Sequence, residues 1–105
     1  MELPAPYREF QRLYPEIWQA YDRLGAALHG AGPLDAKTRE LVKLAVAIGG
    51  RLEGAVHAHT RLALQAGASP DEIRHVVLLA LTTVGFPSMM AARTWVEELI
   101  ASKTE

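Results

Sequence analysis

No stretch of this chain alternates apolar and polar residues with period two, whereas its long segments repeat apolar residues at intervals of three and four. A half-buried strand needs the first pattern and an amphipathic helix the second, because side chains recur on one face every 2.0 or 3.6 residues. The chain is therefore expected to be all-α, a compact bundle of about five to six helices.

Local signals divide it. Residues 1–6, MELPAP, read as an irregular lead-in, and Phe10, Leu13, Trp18, Tyr21, Leu24 and Leu28 then recur at helical spacing. Pro15 interrupts them, giving either two helices or one that bends. After the turn cluster Gly30 to Pro33, Asp35 is a candidate N-cap for a helix to about Ile48, stopped by Gly49-Gly50. Leu41, Leu44, Ala45 and Ile48 make its stripe, which Val42 and Val46 widen. A third helix is expected from about Leu52 to Ala66, ended by Gly67. Ser69-Pro70-Asp71-Glu72 is the strongest local signal, a capping box with proline at the first helical position. The helix it opens carries Ile73, Val76, Val77, Ala80, Leu81 and Val84 and is expected to end at Gly85. A last helix follows Pro87, with Met89, Ala92, Val96, Leu99 and Ile100 inward and Arg93, Glu97 and Glu98 outward.

With 105 residues the chain is the size of one domain, read as spanning 1–105. A lone chain this short buries only about 60–70% of its unfolded surface. Yet two of its helices are apolar nearly all round, since Leu78 and Leu79 lie off their helix's main stripe. A subunit interface is the simplest outlet for that surplus, so a homo-oligomer is expected.

Charge and composition remove whole classes of function. Eleven basic and twelve acidic residues give a net charge of −1, with no basic stripe for nucleic acid and no polybasic anchor for a membrane surface. No apolar run approaches the roughly 18 residues that span a bilayer. The N-terminus lacks the apolar region of a secretory signal, which makes the cytoplasm the expected compartment. There are no cysteines. Disulfides, thiolate nucleophiles and thiolate metal sites are thereby excluded. No cofactor or metal is expected, since an H-x-H pair on a helix chelates poorly and no H-E-x-x-H occurs.

What chemistry remains centres on RLEGAVHAHTRLALQ. His59 shares an apolar stripe with Leu52, Ala55, Leu62, Ala63 and Ala66, where a histidine is more often a hydrogen-bonded core residue than a catalyst. His57 falls about 200° away around the helix, so the two rings do not face one pocket. His57 stands four residues from both Glu53 and Arg61, a ladder expected on the surface or at a pocket rim. Glu40 lies within the wide apolar helix upstream. If Glu40 meets His59 across the helical hairpin, the two form a carboxylate–imidazole pair able to move a proton near neutral pH.

The runs LDAKTRELVKLAVAI, RLEGAVHAHTRLALQAGASPDEI and VGFPSMMAARTWVEEL, with YPEIWQAYDRL before them, resemble the carboxymuconolactone decarboxylase family and its AhpD-like alkylhydroperoxidases. The resemblance covers about 7 to 102. It implies an all-helical bundle assembling as trimers or hexamers. In the peroxidase-type members it implies a glutamate, a C-x-x-C pair and a histidine, which fall on Glu40, on Leu52 and Ala55, and on His59. The position of an additional histidine in some redox members falls on Gly54. Without sulfur a dithiol cannot operate, so peroxidase activity by that route is ruled out. The decarboxylase-type members imply a different reaction, loss of CO₂ from a carboxylated unsaturated lactone. His59 would then supply the proton and Arg51 or Arg61 would hold the carboxylate, with His57 at the rim. Two readings stand side by side. One is a small lyase or proton-transfer enzyme on a small organic acid or lactone. The other is a catalytically silent, redox-dead paralogue serving as an oligomeric binding or scaffold protein.

Overall fold

A computed structural model describes residues 3–104, and α-helix is the regular structure found among them. Its internal contacts divide into two compact units, one ending at Leu34 and one beginning at Asp35.

The first unit is a helical pair, α1 (Ala5–Leu13) and α2 (Pro15–His29). Proline decides both starts. Pro4 stands just ahead of α1, and Pro15 occupies the first turn of α2, where its missing N–H costs nothing. Tyr14 between them leaves the helical conformation at φ −132° and ψ 63°, so Pro15 makes two helices rather than a bend. The expected irregular lead-in is shorter than 1–6, because α1 already begins at Ala5; Met1 and Glu2 lie outside the described residues. Phe10 bridges the pair, its ring 5.1 Å from Tyr14 and 6.4 Å from Trp18. Neither helix contains a buried residue.

The second unit holds α3 (Ala36–Gly49), α4 (Glu53–Gln65), α5 (Pro70–Leu79), the single turn α6 (Leu81–Val84) and α7 (Phe86–Thr104). Asp35 caps α3 by accepting from the Thr38 N–H. Ser69 and Glu72 close the expected capping box reciprocally at 3.0 and 2.9 Å. Leu44 and Ile48 from α3, Val56 and Ala63 from α4, Ile73 and Val77 from α5, and Met89, Ala92, Val96 and Ile100 from α7 form one core.

Several expectations shift. The buried stripe of α4 is Val56, Thr60 and Ala63, while Leu52 and Leu62 are exposed. The stripe expected through Leu52, His59 and Leu62 thus lies to one side of the face that packs. The helix expected to run unbroken to Gly85 breaks at Ala80 into α5 and α6, and Leu81 and Val84 stay exposed. Gly85, at φ +96°, turns the chain from α6 into α7, which begins at Phe86. That backbone conformation favours glycine, and glycine stands there.

The α3–α4 connection corrects a further expectation. Gly49 ends α3 and Gly50 adopts φ −84°, so neither glycine supplies the left-handed residue. Arg51 does, at φ +53°. The Leu52 N–H donates to the Ala47 carbonyl and the Arg51 N–H to the Ile48 carbonyl, the hydrogen-bond pattern that normally places glycine where Arg51 is.

Candidate functional site

The helical hairpin of α3 and α4 brings together the two residues whose meeting the sequence left open. Glu40 lies in the second turn of α3, one turn before Leu44, so it shares the inward face and is only 7% exposed. His59 lies midway along α4, beside the buried Thr60. Its Nδ1 is 2.8 Å from Glu40 Oε1, a hydrogen bond spanning 19 residues of sequence.

A carboxylate can only accept, so Glu40 selects the tautomer in which Nδ1 carries hydrogen and donates. Nε2 is left with the lone pair. The His59 side chain keeps 23% of its surface accessible while the Glu40 side chain keeps 9%, so the carboxylate is the inner member. Burial of Glu40 among α3 core residues makes its unpaired charge costly, and the imidazole N–H offsets that cost. When Nε2 gains a proton, Glu40 faces an imidazolium and the pair becomes an ion pair. The arrangement can therefore take up and release a proton at Nε2 without exposing Glu40.

Leu52 and Ala55 lie seven and four residues before His59, on the same side of the helix. Leu52 is 56% exposed and Ala55 half-buried, so this approach to the imidazole is apolar and carries no sulfur. Gly54 is exposed in the first turn of α4. Arg51 is exposed too, at the head of that helix.

His57 and Arg61 do not join the pair. At 100° per residue each is about 160° from His59 around α4 and about 40° from the other. His57 Nε2 lies 3.3 Å from Glu98 Oε2 of α7, an ion-pair distance without hydrogen-bond geometry. Arg61 is 7% exposed. The surface ladder expected through Glu53, His57 and Arg61 is therefore not what forms: Arg61 is inside, and His57 turns to α7. No local signal announced this: Val56, Thr60 and Ala63 centre the packed face about 130° from Arg61 around the helix, so the burial of Arg61 comes from tertiary packing.

Charged pairs elsewhere tie helices together. Arg74 grips Glu97 of α7 through two nitrogens at 2.7 and 3.2 Å, and Lys37 reaches Glu72 at 3.0 Å. Among the described residues no group of three or more His, Asp or Glu side chains is placed to hold a metal ion, and no helix is long and apolar enough to cross a membrane. An apolar groove of about 420 Å³ opens between α3 and α5, lined by Leu41, Val42, Ala45, Val76 and Leu79 among others.

The model of the carboxymuconolactone decarboxylase family matches residues 15–98. The crystal structure of the apo form of a carboxymuconolactone decarboxylase family protein from Legionella pneumophila superposes with a TM-score of 0.74 at 27% identity, covering 88% of this chain and 82% of that one. An uncharacterized protein from Haemophilus influenzae is 49% identical over 53 residues, which are 50% of this chain and 47% of that relative. The chain thus matches about half the length of that relative.

Proposed function

Since the chain belongs to the carboxymuconolactone decarboxylase family, we propose that it is a small proton-transfer enzyme, a lyase acting on a small carboxylated lactone or related organic acid through Glu40 and His59. The observation that carries this reading is the 2.8 Å contact between His59 Nδ1 and a buried carboxylate, which leaves the Nε2 lone pair on a side chain that is 23% accessible.

The reaction needs little more. The bond between the lactone carbon and its carboxylate breaks, CO₂ leaves, and the electron pair enters the conjugated lactone as a dienolate. Protonated Nε2 delivers its proton to the reacting carbon, and solvent restores it. Glu40 stabilises the imidazolium before the transfer and holds the ring's orientation throughout, the role a buried carboxylate plays behind a catalytic histidine. Arg51, at the head of α4, is the cation proposed to receive the substrate's carboxylate. Arg61 and His57 stand on the opposite flank, away from the atom that Nε2 serves. The apolar approach past Leu52 and Ala55 suits the ring of an unsaturated lactone and replaces the positions at which redox relatives keep sulfur.

Self-association belongs to this proposal. Val42, Leu79 and Val84 are exposed at the groove beside α3 and α5, and Val46, Leu78 and Phe86 are exposed too, more apolar surface than a monomer ordinarily shows to water. Sedimentation velocity at micromolar concentration should show a homo-oligomer, and a stable monomer there would overturn that part.

The catalytic reading is tested by incubating the purified protein with a carboxylated unsaturated lactone and following CO₂ release. Release above the spontaneous rate supports it. No release, with the oligomer intact, would instead mark the chain as a silent member of its family, as the loss of sulfur at Leu52 and Ala55 would suit.

A further inference from the structure

Two helical rows of matching length and spacing face water in this chain. On α2 the row is Ile17, Tyr21, Leu24 and Leu28, which recur at i, i+4, i+7 and i+11 and are 56–67% exposed. Phe10 of α1 meets α2 at Trp18, about 90° around the helix from the centre of this row. On α3 the row is Thr38, Val42, Ala45 and Gly49, with the same four offsets. It forms one wall of the groove of about 420 Å³ whose other wall is α5 and α6. Each row stays within about 60° of arc and runs about 16 Å along its axis.

The two rows are complementary in size. The α2 row is built of large side chains, while the α3 row narrows from Val42 through Ala45 to Gly49, so the groove has room for an incoming helix. An amphipathic helix docks in an apolar groove through anchors at this spacing. Area decides what the occupant is. Four large side chains with more than half of their surface uncovered offer about 450 Å². One such contact buries about 900 Å² over both sides, short of the roughly 1,200–2,000 Å² of a specific stable interface. A reciprocal exchange between two copies doubles it to about 1,800 Å², inside that range. A foreign helix in the groove would leave the α2 row in water.

We propose that α2 of one copy lies in the α3–α5 groove of a second copy, which returns its own α2 in exchange. The exchange rests on the self-association inferred above and names the surfaces that make it. It is isologous, the same two patches serving on both copies, so it closes on a pair. It also gives the wide apolar face of α3 two uses: Leu44 and Ile48 pack the core, and the row through Val42 and Ala45 receives the second copy. Glu40 stands about 170° around α3 from that row, so the exchange leaves the Glu40–His59 pair untouched.

The chain has no cysteine, so two can be introduced without competition. Leu24 and Ala45 are both exposed, and replacing them does not disturb the core. The full chain carrying Leu24→Cys and Ala45→Cys, treated with a short bis-maleimide, should give a dimer-sized band on a denaturing gel. A digest of that band should join the Leu24 peptide to the Ala45 peptide. Leu24→Glu and, separately, Ala45→Arg should weaken association at least about tenfold by sedimentation, with far-UV circular dichroism unchanged. A natural protein that stays monomeric would overturn both the exchange and self-association. An oligomer as tight in Leu24→Glu and Ala45→Arg as in the natural protein would overturn the exchange alone. So would joined peptides confined to a monomer-sized band, or an oligomer in which these peptides are never joined.

Discussion

Glu40 Oε1 and His59 Nδ1 meet at 2.8 Å although 19 residues separate them, because the turn after α3 folds α4 back along it. The contact buries the acid and leaves the base at an edge. If Glu40 only filled space, a neutral isostere would serve equally well. Glu40→Gln should instead lose most of any turnover, since an amide stabilises imidazolium poorly. The loss should appear in kcat rather than KM, as steady-state kinetics would show.

Arg51 holds a left-handed backbone conformation, φ +53°, that costs a non-glycine residue about 1 kcal/mol or more. Arg51→Gly should therefore raise the unfolding midpoint by several degrees in a domain of this size. If Arg51 also receives the substrate's carboxylate, the same variant should show a higher KM. A more stable protein with unchanged kinetics would remove Arg51 from the site.

Acid should unfold the chain through its paired carboxylates. Arg74's hydrogen bonds hold the Glu97 carboxyl below its ordinary 4.5, and the Ser69 N–H followed by Lys37 does the same for Glu72. A pKa lowered by folding means that the unfolded chain takes up the proton first. The stability these groups supply is complete above pH 4.5 and is lost as pH falls through their lower folded values. Urea midpoints should decline below that pH, and Glu97→Gln should flatten part of the decline.

Ser69→Ala removes one half of the capping box and leaves the Glu72 N–H without its side-chain acceptor. A loss of about 1 kcal/mol is expected, read from chemical denaturation.

The fold was legible wherever local chemistry decided it. Asp35, Ser69 and Gly67 act where their side chains, or lack of one, point, and the core residues of α5 and α7 follow from spacing. The stripe of α4 misled because Leu52 and Leu62 are as apolar as Val56 and Ala63, and periodicity does not say which of two adjacent stripes meets α7. Gly49-Gly50 misled for a related reason: either glycine can adopt a left-handed conformation, but hydrogen-bond register put that conformation on Arg51. The Glu40–His59 pair was legible as two residue types able to move a proton, not as a contact, because a distance across a hairpin depends on the packing of α3 on α4. Arg61 was the largest surprise. Its i, i+4 relation to His57 suggested a solvated ladder, and only tertiary packing buried it.

The central claim is that Glu40 and His59 form a proton-transfer site rather than a core contact. Its most direct test measures CO₂ release from a carboxylated unsaturated lactone by the natural protein and by His59→Gln, together with oligomer size and urea midpoint. The account predicts release by the natural protein and its loss in His59→Gln, while oligomer size is kept and the midpoint falls by no more than about 1–3 kcal/mol equivalent. Undiminished release by His59→Gln would contradict it, and so would a variant whose only change is lost stability.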